Sequence, residues 1–446
     1  MIAKNESEGR KMSAVHELLK FIEQSPTAFH AVGSCADALE AQGFVPLCEG
    51  DEWSLVAGGK YYVTRNRSSI IAFELPSVTP DHFLIAASHT DSPMFKIKSE
   101  PMTLSLDRYQ RINTEPYGGS IYSTWTDRPL SVAGRVILCE NGEFRTELVN
   151  IARDLLVIPN LSIHFNRGVN SGYAYNPAVD LLPLFSDGKD TTLKSLVARE
   201  LSCDESAIAG MDLYVYNRTK GTTFGASDEF FASPRIDNLM CVWGTLQGFL
   251  GATPASSVNV FFAADNEETG SATKQGAGSV FLSDVLDRIC ECFGVDKRRL
   301  LASSMMVSAD NAQAKHPNHP ELSDAQNAPV MGGGVVIKYN AAQKYTTDAL
   351  SASVFENICA HAGVSTQRFA NRSDMAGGST LGSIANTQVP VMSVDIGMAQ
   401  LAMHSAYETA GSRDAAYLVD AMRVFYSCAL HASADGNITV SFPERA

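Results

Sequence analysis

Four apolar runs in this chain each lead to a side chain that can titrate, and this pattern restricts the fold more than any other feature. Phe83–Ala87 leads to His89, Val258–Ala264 to Asp265–Asn266–Glu267–Glu268, and Ser304–Ala309 to Asp310. Val389–Val394 reaches His404 through a short loop. Short apolar runs bounded by polar turns read as buried strands. Helical patterns lie between and around them, at Asn238–Leu250, Gly278–Phe293, Asp348–Ala362 closed by Gly363, and a long final helix over Gly411–Ala432. The alternation predicts an α/β fold with a mostly parallel central sheet flanked by helices. In such sheets ligands bind outside the carboxyl ends of the strands, so residues far apart in sequence can converge there.

Two amphipathic helices open the chain, with Val15, Leu18, Leu19 and Ile22 at helical spacing, then Phe29, Val32, Ala36 and Leu39. From residue 94 to 234 the texture changes to Pro, Gly, Tyr and Asn among short strands such as Val132–Cys139, Leu161–Phe165 and Asp212–Tyr216. This reads as an inserted β-rich domain over 94–234, leaving 1–93 and 235–446 as one discontinuous domain. A length of 446 residues exceeds a single typical core, and 45% hydrophobic content is enough to fill more than one.

Composition excludes several classes of partner. Acidic residues outnumber basic ones by 49 to 35, for a formal charge of −14, and no Lys/Arg stripe could track a phosphate backbone, so nucleic acid is not expected. A polar amino terminus and the lack of any run near the roughly 18 apolar residues of a span predict a soluble protein away from the membrane. Nine scattered cysteines without zinc-ribbon spacing suit buried thiols in a reducing, cytoplasmic setting.

The strand-end residues carry the chemistry. His89, Asp237, Glu267, Glu268, Asp310 and His404 combine two imidazoles with several carboxylates and no thiolate, a set suited to zinc, manganese or cobalt in a hydrolytic site. One carboxylate can bridge two cations about 3.5–4 Å apart, so five ligand residues can serve two ions. In the adjacent pair Glu267–Glu268, one acid can hold a metal while its neighbour moves protons. Strand alternation would place Asp91 on the same face as His89, where it could orient the imidazole. Asp237 has a second reading as a helix cap, and His316 and His319 read as pocket wall or surface rather than ligands.

Taken in order, the segments Ser25–Pro26–Thr27–Ala28–Phe29–His30, Ser88–His89–Thr90–Asp91–Ser92–Pro93, Ser233–Pro234–Arg235–Ile236–Asp237–Asn238–Leu239, Asp265–Asn266–Glu267–Glu268–Thr269–Gly270–Ser271, Ser308–Ala309–Asp310 and Met403–His404–Ser405–Ala406–Tyr407–Glu408 are similar to those of the aspartyl aminopeptidases and their close metallo-aminopeptidase relatives. The resemblance implies two divalent metal ions, most simply zinc, with His89, Asp237 and Asp310 around one and Asp237, Glu268 and His404 around the other. It implies Glu267 as general base toward the attacking water and Asp91 as the acid behind His89. By the same resemblance Lys338 and Tyr345 line a pocket for an acidic first side chain of a peptide substrate. The resemblance further places His164 at a partner subunit's site, the other reading being an exposed strand face. It also implies that the 94–234 insertion forms dimers that assemble into a dodecamer. Asn311 and Gln313 depart from a local pattern of Met and His in some relatives, which bears on pocket polarity.

Overall fold

The computed structural model describes residues 2–443, with side chains from residue 12 onward. Its central element is a nine-stranded sheet in the order Val45–Leu47, Lys60–Arg65, Ser69–Glu74, Ser257–Ala264, His82–His89, Met305–Ala309, Met392–Gly397, Val335–Tyr339 and Thr366–Ala370. Five of its eight neighbouring pairs run parallel and three antiparallel. The four strands at its centre, from Ser257–Ala264 to Met392–Gly397, are mutually parallel, so their carboxyl ends lie along one edge.

Burial on both faces explains the unbroken apolar runs. Every residue of His82–His89 and Ser257–Ala264 is buried, and successive side chains alternate between two cores. Leu84, Ala86, Phe261 and Ala263 face the core shared with the helices Ile236–Leu250 and Asp414–Ser427. Phe83, Ile85, Ala87, Val260 and Phe262 face the one shared with Phe281–Phe293. The result is a helix–sheet–helix sandwich. Gly248 lets two of the helices approach closely, since a Cβ there would sit 2.4 Å from the Met422 Cβ.

A second sheet of six strands draws all its strands from residues 94–217 and has its own apolar core around Phe95, Trp125, Val132 and Val215. Thr222–Phe224 and Phe230–Ser233 instead join a third sheet with Glu408–Gly411, Ala399–Leu401 and Ala312–Gln313. Among the described residues no helix is long and apolar enough to cross a membrane.

Three local expectations need correction. Leu161–Phe165 is a turn-containing loop rather than a strand, and Leu161, Ile163 and Phe165 are 57%, 51% and 86% exposed, so no face of the segment is buried. The last helix stops at Ser427, and the chain then forms a hairpin of Ala429–Ala434 and Asn437–Ser441 whose turn uses Gly436 at φ 77°. The expected strand at Val389–Val394 begins only at Met392, because Pro390 has no N–H to give a ladder.

Candidate metal centre

Strand ends and the loops after them deliver the titratable residues to one place. His89 is the last residue of its strand, Asp310 follows Met305–Ala309, and Glu267 and Glu268 open a 3₁₀ turn after Ser257–Ala264. Asp237 lies in the first turn of Ile236–Leu250, where its own backbone is not helical. Arg235 anchors that turn by donating to the carbonyls of Ile22 (3.0 Å) and Ser25 (3.2 Å), which ties the Ser25–Pro26 segment to the centre.

The Asp237 carboxylate divides between two neighbours. Its Oδ1 lies 3.4 Å from His89 Nε2, and its Oδ2 lies 3.6 Å from His404 Nε2. Asp310 Oδ1 is 3.5 Å from His89 Nε2, and Glu268 Oε2 is 3.4 Å from His404 Nε2. Ligand atoms within 4.8 Å of one another form three groups among the described residues: His89, Asp237 and Asp310; Asp237, Glu268 and His404; and His89, Glu267 and Glu268.

Both imidazoles are oriented from behind. His89 Nδ1 donates to the Asp91 carbonyl at 3.1 Å and lies 3.3 Å from Asp91 Oδ1. Asp91 is past the end of the strand, so the turn, not alternation, brings it there. The Asp91 carboxylate also accepts from the backbone N–H groups of Glu267 and Glu268, each at 3.2 Å, and from the Tyr117 hydroxyl at 2.6 Å. His404 Nδ1 donates to the Gly119 carbonyl at 3.1 Å. Each contact leaves Nε2 facing the carboxylates with a lone pair for a cation.

The donor set fits bound cations. Buried without a hydrogen-bond partner are Asp237 Oδ1 and Glu268 Oε1. Burial, and then the neighbouring Asp237, drives the Glu268 carboxyl well above the usual range. Burial likewise raises Glu267, with Asp310, Asp91 and Asp237 adding to it and His89 opposing. His89 is pulled down by burial yet held well above its ordinary value by Asp237, Asp310 and Asp91. Crowded carboxylates with orphaned oxygens need positive charge, and divalent cations supply more of it than protons do.

Lys338, in the Val335–Tyr339 strand, is 1% exposed; its Nζ lies 3.4 Å from Asp310 Oδ2 and from the Asn311 carbonyl, and 4.9 Å from the Tyr345 ring centre. Asn311 is buried, its side-chain amide bonding to Gln400 and the Ile236 carbonyl. His316 and His319 line a neighbouring cavity of about 350 Å³ with Phe369, Arg372 and Met403. His164 is in the exposed loop at 161–165 and is a member of none of the three groups.

Two contributions escaped the sequence reading. Tyr117 bridges the second sheet to Asp91, and Gly118, at φ 71°, admits Glu268, whose Cβ would lie 3.0 Å from an added Cβ. Glu408 is buried and accepts from the backbone N–H groups of Asp237 (3.0 Å) and His404 (2.8 Å). The signal for the first was the Tyr–Gly–Gly triplet at 117–119, whose glycines mark a close backbone approach. The signal for the second was an acid four residues after His404.

Comparison with known proteins places the chain in a family. The family described as Aminopeptidase I zinc metalloprotease (M18) matches residues 21–426. A probable M18 family aminopeptidase 2 from Clostridium acetobutylicum is 44% identical over 436 residues, covering 95% of this chain and 100% of the relative. Among solved structures, that of the Ape4 and Nbr1 complex superposes with a TM-score of 0.91 at 35% identity, covering 94% of this chain and 86% of that one. The S. cerevisiae mApe1 dodecamer superposes at 0.82 with 26% identity, covering 92% and 96%. With a family match over most of its length and a relative 44% identical across that relative's whole length, the chain belongs to the M18 family of metallo-aminopeptidases.

Proposed function

We propose that the chain removes an acidic amino-terminal residue, Asp or Glu, from peptides, using two divalent cations, most simply zinc, shared through Asp237. The observation that carries this reading is the division of one carboxylate between His89 and His404. On this reading His89 and Asp310 complete one site, and Glu268 and His404 the other. Bound there, the cations would acidify a water and polarise the scissile carbonyl.

The protein's own groups do the rest. Glu267 takes the proton from the attacking water and delivers it to the departing amine. Asp91 fixes the turn that carries Glu267 and Glu268 while orienting His89. Asp237, Glu267 and Glu268 give the substrate's free ammonium a negative wall, which favours trimming from the amino end.

Lys338 supports the acidic preference, because an ammonium has three N–H bonds and this one has two acceptors, each at 3.4 Å. On this reading the third meets a substrate carboxylate, with the Tyr345 ring centre 4.9 Å from the ammonium. Lys338→Leu is expected to lower kcat/KM for Asp and Glu substrates about 10- to 100-fold more than for Leu substrates, as loss of a charge-assisted hydrogen bond should. Equal losses on all three would assign Lys338 to Asp310 alone and favour a neutral first residue.

We also assign residues 94–234 to an inserted β-rich domain that joins copies of the chain, with His164 presented to a partner's site; the dodecameric state of the mApe1 relative supports only the association of copies. Leu161, Ile163 and Phe165 then lose their exposure to a second copy. Phe165→Asp should reduce the assembly's mass in light scattering, and an unchanged mass would rule out this loop as an interface.

A further inference from the structure

We infer that Glu408, braced by Gln400 and Asn311, is a positioning residue that sets the separation of Asp237 and His404. The inference rests on the reading of those two residues as metal ligands. The Ile236–Leu250 helix carries Asp237, and His404 sits in a loop 167 residues later in the chain. Pairing of the Phe230–Ser233 and Glu408–Gly411 strands sets the neighbouring segments side by side but does not itself join the two residues. Glu408 does so directly, since its Oε2 accepts from the Asp237 N–H at 3.0 Å and its Oε1 accepts from the His404 N–H at 2.8 Å.

The clip needs a carboxylate. Two backbone N–H groups face its two oxygens, and an amide would turn its NH₂ toward one of them. His404 has φ 67°, a conformation that a non-glycine residue keeps only when its surroundings hold it there, and the Glu408 bond to its N–H is such a hold.

A buried polar chain steadies the clip. Gln400 Nε2 donates to Glu408 Oε1 at 3.3 Å, and Asn311 Nδ2 donates to Gln400 Oε1 at 2.8 Å and to the Ile236 carbonyl at 3.0 Å. The Cys241 thiol donates to Asn311 Oδ1 at 3.2 Å. Asn311 follows Asp310 directly, so the chain links the loops bearing three candidate ligands, Asp237, Asp310 and His404. Glu408, Gln400 and Asn311 are each at most 3% exposed. Asn311 therefore serves the centre from behind instead of tuning the polarity of a substrate pocket. Such outer partners orient the ligands they touch, and their loss typically weakens metal binding.

The test uses Co²⁺ as the probe on the full chain, with affinity read by chelator competition, coordination by visible absorption and catalysis by peptide release. Glu408→Gln is expected to weaken Co²⁺ binding about 10- to 100-fold, change the visible bands and lower kcat with little change in KM. Gln400→Leu, which leaves the carboxylate in place, should shift the same three readouts in the same direction by a smaller factor. Asp414→Asn is the control, because Asp414 is a buried acid that accepts from the Gly332 and Gly334 N–H groups and touches none of the ligands. It should leave the Co²⁺ spectrum unchanged.

Folded Glu408→Gln that binds Co²⁺ with wild-type affinity and bands would overturn the inference. If Glu408→Gln does not fold, an unaltered Gln400→Leu overturns it instead. A spectral change in Asp414→Asn equal to that in Glu408→Gln would mark a general loss of fold and overturn it as well. Failure of the ligand reading itself looks different: wild-type Co²⁺ uptake would then be insensitive to Asp237→Asn.

Discussion

Glu267→Gln is expected to lower kcat by about 10²- to 10⁴-fold, the range that a general base contributes, while the protein keeps its metal content and nearly its KM. Glutamine preserves the volume and one acceptor oxygen of Glu267 but cannot take up a proton at neutral pH. The Glu267 backbone N–H bonds to Asp91 Oδ1, so the turn survives the change. The ligands assigned to the cations are His89, Asp237, Glu268, Asp310 and His404, all untouched. A loss confined to kcat therefore separates proton transfer from metal binding and from substrate affinity. Glu267→Asp should fall between the two, because its carboxylate is held back by one methylene from the reacting atoms. Peptide release under saturating substrate, with metal analysis on the same samples, checks the expectation. A Glu267→Gln enzyme within tenfold of wild-type kcat would remove Glu267 from the reaction.

How much of this was legible in the sequence depended on the range of the interaction. Residues at the ends of Ser257–Ala264, His82–His89 and Met305–Ala309 could be found because an unbroken buried run must stop where the sheet stops, and the stop locates the cleft. His404 was harder, since the Met392–Gly397 strand ends well before it and a left-handed turn sets its direction. Tyr117 and Glu408 were missed as site residues because their contacts join separate segments: Tyr117 lies 26 residues from Asp91 and 149 from Asn266, and Glu408 lies 171 from Asp237. Local alternation also misled: at Leu161–Phe165 it had the period of a half-buried strand, yet the residues that would bury one face are absent from its surroundings in the chain. At the carboxyl end, the Ala-rich stretch at 428–434 favours a helix intrinsically, and pairing with Asn437–Ser441 across Gly436 wins instead.

Asp237→Asn should have the largest effect on the centre, and its effect on stability should change sign with metal. The amide keeps one acceptor oxygen and loses the charge, so the site can no longer share a carboxylate between two cations. Metal content is expected to fall from two ions per chain toward one, and activity to fall by more than the about 10- to 100-fold that loss of an outer hydrogen-bond partner costs. In metal-free protein the same change removes a carboxylate from a cluster that includes Glu267, Glu268 and Asp310, and relief of that crowding outweighs the lost pairing with His89 Nε2, which lies 3.4 Å from Asp237 Oδ1. The metal-free variant should therefore unfold at a higher temperature than metal-free wild type. Adding cations reverses the order, because a ligand that binds only the folded state stabilises it by about 4 kcal/mol at a thousand times its dissociation constant. Wild type gains that from both sites and the variant from one at most. Thermal unfolding of both proteins, each stripped with a chelator and then reloaded, reads the crossing directly. Parallel shifts without a crossing would mean that no cation depends on Asp237.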